Sequence, residues 1–176
     1  PRPKRDIGLR TNYEDIEIPV LICGRKAPES VRLVDTMGVT ATLLDLCGVA
    51  PHPSFKGVSA FAGGRDAVIT ESAGSGNADL ERRDLYFTIT TLGHRMMTIL
   101  EGDKLRVFGL YDRSIDSEEL TNLSDDPAMR DTIADLLGKL FDERGELLEF
   151  RGVSAETILN GWRESAGDAV SVKAVN

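Results

Sequence analysis

Leu105 to Phe141 reads L-R-V-F-G-L-Y-D-R-S-I-D-S-E-E-L-T-N-L-S-D-D-P-A-M-R-D-T-I-A-D-L-L-G-K-L-F. It holds three kinds of local structure in sequence. Lys104 to Leu110 is a β-prone run. A polar stretch of Asp, Ser, Glu, Thr and Asn follows, with the composition of a turn-rich connection. Asp126-Pro127 then supplies a capping carboxylate and a proline suited to a first helical turn. Met129, Ile133, Leu136, Leu137, Leu140 and Phe141 recur at steps of three and four, an apolar stripe on one side only. Such a helix needs a sheet to lie on.

Upstream residues supply that sheet. Leu85 to Thr91 and Arg95 to Leu100 are further β-prone runs, and Glu101-Gly102-Asp103 is a tight turn before Lys104. Ala67 to Thr70 is a short strand candidate, and Gly74-Ser75-Gly76-Asn77 is the most linker-like stretch. Residues 153–165 suggest a last short helix and the final ten a frayed end.

The opening third reads differently. Ile16 to Cys23 (I-E-I-P-V-L-I-C) is a nearly continuous apolar run stopped by Gly24, the pattern of a strand covered on both faces. After a loop, Met37, Ala41, Leu43, Leu44 and Cys47 follow helical spacing between a capping Asp35 and a stopping Gly48. Thr40 and Thr42 within that helix are expected to bond back to the preceding turn. Pro51, Pro53 and Gly57 mark the exit, and residues 1–12 read as a polar arm. A lone strand and helix leave two open edges and an uncovered face, so further strands are expected upstream. A first residue of proline points the same way, to numbering from an internal point.

Composition narrows the functional classes. Hydrophobic residues are 41% and charged residues 28%, as in a folded globular protein. No apolar run approaches the roughly 20 residues that span a bilayer, so no membrane partner is expected. The net charge of −8 disfavours nucleic acid, yet permits a local cationic pocket for a small anion. Cys23 and Cys47, the two cysteines, lie in apolar surroundings and read as reduced core thiols. They suit a cytoplasmic setting, with periplasmic or secreted alternatives left open; a homo-oligomer is also open.

Three segments, in order, resemble the sulfatases of the alkaline-phosphatase superfamily. Tyr13-Glu14-Asp15-Ile16-Glu17-Ile18-Pro19-Val20-Leu21-Ile22 is similar to the family's Y-E-[ED]-x-x-R-V-P-L-I strand. Arg32-Leu33-Val34-Asp35 through Thr42-Leu43-Leu44-Asp45-Leu46-Cys47-Gly48-Val49 resembles its V-S-L-V-D-x-x-P-T-L-L-D-L-A-G-V helix. Leu110-Tyr111-Asp112 with Glu118 to Pro127 is similar to its L-Y-D-L-x-x-D-P-x-E-x-x-N-L-A-x-D-P passage. The resemblance implies an α/β fold. Residues 1–75 would end a large alkaline-phosphatase-like mixed-sheet domain, 76–150 a small α+β subdomain with an antiparallel sheet and covering helix, and 151–176 a helix and tail.

It also implies an activity, hydrolysis of a sulfate ester by a formylglycine made from cysteine in C-x-P-x-R, assisted by a divalent cation (Ca²⁺, or Mn²⁺). Neither cysteine fits: Cys23 precedes Gly24-Arg25-Lys26-Ala27 and Cys47 precedes Gly48-Val49-Ala50-Pro51. The nucleophile and metal ligands are therefore expected upstream or on a partner chain, with no metal ligands here. The family's sulfate-contacting lysine would fall at Leu9; Arg10, one place on, is the substitute cation and first substrate-binding candidate. Glu17 stands where the family has arginine. Both departures keep two alternatives in view, a related phosphodiesterase or phosphonate monoester hydrolase and a non-catalytic binding or scaffold relative.

His94, between two strands after Gly93, is the second substrate-binding candidate, as a donor to an anionic ester. His52 in Pro51-His52-Pro53 reads as a surface turn, and Asp6 and Asp15 as solvated charges or caps. The acidic run Asp116 to Asp126 lacks the ligand spacing and central glycine of an EF-hand and reads as turn and cap chemistry.

Overall fold

The structure, a computed structural model, describes residues 16–24, 27, 31–73 and 84–164. Two compact units divide the chain, Glu17–Val68 and, among the described residues, Ile69 onward together with Ile16.

In the first unit the helix α1 spans Thr36–Cys47. Asp35 caps it, its Oδ1 accepting from the Gly38 amide at 2.5 Å while its Oδ2 stands 3.0 Å from Arg65 Nε. Gly48 ends it at φ 68°, a left-handed stop that favours a residue without Cβ. Thr42 does bond back, its Oγ1 donating to Gly38 O at 2.7 Å, and the same oxygen accepts from the Ala60 amide at 2.9 Å. One buried hydroxyl thus ties the helix to the short 3₁₀ turn Ala60–Ala62. Leu33 and Arg65 form an isolated antiparallel bridge. Gly64, at φ 71°, permits that approach: a Cβ there would lie 2.4 Å from Leu33 O.

The strand expected over Ile16–Cys23 does not form. Residues 17–23 enter no ladder, and Ile18, Val20 and Leu21 are 69%, 54% and 86% exposed. The reason is physical: a strand is defined by its neighbour, and apolar side chains alone do not give the backbone a hydrogen-bonding partner. The cysteines are corrected likewise. Cys23 and Cys47 are free, as read, but exposed and not core.

The second unit is built on a four-stranded sheet in the order β1-β2-β3-β4, with β1 Val68–Ala73, β2 Leu85–Thr90, β3 His94–Glu101 and β4 Lys104–Asp112. Its first strand thus lies N-terminal to residue 76. β2, β3 and β4 are successive antiparallel neighbours, and Gly102 at φ 63° makes the last turn. Register places Phe87 opposite Thr98, Ile89 opposite Met96 and Leu100 opposite Leu105, so these share one face. A bulge at Met97/Thr98 shifts the β3–β4 register before Met96 meets Leu110.

A 3₁₀ turn, Pro127–Met129, leads into α2, Arg130–Phe150, with Asp126 Oδ1 accepting from the Ala128 amide at 2.9 Å. Ile133, Leu136, Leu137, Leu140, Phe141 and Leu148 enter one core with Phe87, Ile89, Met96, Leu100, Leu105 and Leu110. The helix therefore covers the sheet, as its stripe requires. After Gly152, α3 (Ala155–Glu164) adds Ile158 to that core.

Candidate functional site

The chemistry-bearing residues of the second unit gather where β2 turns into β3 and β4 runs out. His94 opens β3, and its strand partner across the ladder is Asp112. The turn before it is closed by Thr91: Thr91 N donates to His94 O at 2.8 Å, and Thr91 Oγ1 accepts from His94 N at 2.9 Å. The chain leaving β4 is stitched to the same turn. Arg113 N donates to Gly93 O at 2.8 Å and Arg113 Nη1 to Thr91 O at 2.7 Å.

Asp112 is the polar centre of this end. Its Oδ1 accepts from Ser114 Oγ at 2.5 Å and from Ser114 N at 2.9 Å. The hydroxyl first, then the amide, and the nearby His94 charge hold its carboxyl below the usual carboxylate value.

Sequence reasoning missed a charge pair that is the most buried among the described residues. Arg95, next to His94, is 1% exposed in its side chain and its Nη1 donates to Glu119 Oε1 at 2.5 Å; Glu119 is 5% exposed. Arg95 Nε also donates to Thr90 Oγ1 at 3.2 Å. The partners are 24 positions apart, and only Glu119 falls in a resembling segment, as the E of E-x-x-N-L, with Arg95 outside all three. The available signals were a charged residue, Arg95, within a run otherwise fit for burial, and the motif position of Glu119.

The remaining acidic run behaves as turn and cap chemistry. Asp116 Oδ1 and Oδ2 accept from the amides of Leu120 and Thr121, and Asp126 caps as described. Asn122 reaches back to β4, accepting from Leu110 N and donating to Phe108 O, each at 3.0 Å. His52 is exposed, with its Nδ1 2.8 Å from Ser54 Oγ, a local turn contact. Arg10, Asp6 and Asp15 lie outside the described residues. Glu17 is exposed.

In the first unit an open apolar groove of about 460 Å³ is lined by Val20, Leu21, Cys23, Val34, Leu43 and Leu46 among others. It lacks a charged lining residue and has the makings of a packing surface, not a reaction centre. Among the described residues no three His, Cys, Asp or Glu side chains group as metal ligands. They therefore do not fit the divalent cation that the resemblance implies. No described helix is long and apolar enough to cross a membrane.

No protein-family profile and no curated protein matches the chain. Solved structures do. A 2-O GAG sulfatase is 21% identical over 74% of this chain and 26% of its own, with a TM-score of 0.49. A Bacteroides thetaiotaomicron protein described as a candidate sulfatase gives 21% over the same shares and a TM-score of 0.47. A third, solved with its substrate D-glucosamine-2-N,6-O-disulfate, is 16% identical over 61% of this chain and 23% of its own, at 0.46. The chain spans about a quarter of the length of these proteins. Likeness at this level leaves activity and substrate open.

Proposed function

We propose that the chain is the C-terminal part of a sulfatase-like hydrolase of sulfate esters, whose nucleophile and cation ligands stand in sequence outside residues 1–176. The supporting observation is the third resembling segment. Leu110-Tyr111-Asp112 ends the last strand, Asn122 hooks back on it, and Asp126-Pro127 starts the covering helix. Two more segments in the family's order precede it.

The chemistry follows from the division of labour. The upstream nucleophile attacks sulfur, a new S–O bond forms, and the S–O bond to the leaving alcohol breaks. A divalent cation, held upstream, would polarise the ester oxygens. This chain contributes His94, opposite Asp112 in the ladder, as a donor to an anionic ester oxygen, and Arg10 as a further cation for the sulfate group.

The test is an assay of the protein together with its upstream sequence, on aryl sulfates with Ca²⁺ or Mn²⁺. Hydrolysis by the longer protein and none by residues 1–176 is the expected result. Cleavage of phosphate diesters or phosphonate esters, but not sulfates, would move the reading to the related hydrolases. An upstream region without Cys, Ser or Thr in x-x-P-x-R context, inert on all three, would leave a binding or scaffold protein.

A further inference from the structure

The connection from β4 to α2 is pinned in an unusual way. Its ends are tied by backbone bonds, Arg113 N to Gly93 O and Leu123 N to Leu110 O, both 2.8 Å. Between them Ile115 and Leu120 are 84% and 70% exposed, so no apolar side chain anchors the middle. Glu119 does so instead, its carboxylate buried on Arg95. Glu119 is also the one non-glycine residue with positive φ among the described residues, at 54°. A left-handed glutamate is unfavourable, and it persists where surrounding contacts over-determine it.

We propose that Glu119 is a positioning residue for the His94 end of the sheet. The contacts form a closed ring. Arg95 follows His94 in the chain and holds Glu119. Glu119 N donates to Asp116 O at 3.2 Å, and Asp116 N donates to Asp112 O at 2.9 Å. Asp112 faces His94 across the ladder and closes the ring. Withdrawal of the carboxylate opens the ring at its buried ion pair and leaves Arg95 buried without that partner, so the loop and the Thr91–His94 turn loosen together. The functional weight of this device rests on the reading of His94 as a substrate ligand; the device itself does not.

Hydrogen exchange read by mass spectrometry on the full-length protein tests it, with side-chain C2-proton exchange at His94 alongside. In Glu119→Gly, which removes both the carboxylate and the φ penalty, exchange over 112–121 and 91–95 should quicken about tenfold or more, with His94 C2 exchange altered. The α2 segment 133–141 should change far less. Glu119→Gln, which keeps the shape and an acceptor, should fall between, and it carries the same comparison if the glycine variant does not fold. Unchanged rates in both segments, or equal acceleration in 133–141, would overturn the proposal, the latter showing a general stabiliser. Sulfate-ester activity plays no part in these readouts, so failure of the hydrolase reading is seen separately.

Discussion

Ser114 gives Asp112 two hydrogen bonds, one from its hydroxyl and one from its amide. Both stabilise the carboxylate over the acid, so the folded-state value is depressed and the hydroxyl is the larger cause. The sign for stability follows. A depressed carboxylate contributes above its unfolded value, about 3.9, and loses that contribution as pH falls through the lower folded value. Ser114→Ala should therefore move the Asp112 titration upward toward the ordinary carboxylate range, as read by carbon NMR of its carboxyl. A titration that stays put would show that the hydroxyl does little. His94 could be singled out from sequence because a histidine after a glycine between strands is placed by local rules. The Arg95–Glu119 pair could not be, since its two halves meet only after the loop has folded back across the sheet.

Among the elements, α2 shows how far periodicity carries. Every residue of its expected stripe from Ile133 to Phe141 is buried. Leu137, 1% exposed in the middle of that stripe, should lose about 2–5 kcal/mol on replacement by alanine, the usual cost of a core cavity. Urea denaturation followed by helical circular dichroism would register it; a loss under about 1 kcal/mol would mean the sheet collapses onto the gap. The strands β2 to β4 were legible for the same reason, with boundaries within a few residues. Ile16 to Cys23 was not, because an apolar run records a capacity for burial and not the presence of a partner strand. The proline-opened helix likewise begins with a 3₁₀ turn before its α-helical hydrogen bonds take hold at Arg130.

For the molecule as a whole, the two units differ in how much apolar surface they bury. The sheet unit closes a core under its helix, whereas the unit Glu17–Val68 exposes Ile18, Leu21, Leu43, Leu46 and Val49. Cys23 lines its groove and Cys47 is exposed at the end of α1, which makes thiols convenient reporters. Both should react with a thiol reagent in residues 1–176 alone, and on the proposed reading Cys23 should become protected once an upstream sequence is joined to the chain. Equal reactivity of Cys23 in both would show that the groove is not covered by that sequence. Asn122 has a consequence at this scale too. β4 is an outer strand, and the Asn122 amide takes up Leu110 N and Phe108 O, while Leu123 N takes up Leu110 O. Over that part of the rim, from Phe108 to Leu110, those backbone groups are no longer offered to a neighbouring molecule, so one side chain helps guard the protein against growing into aggregates strand by strand.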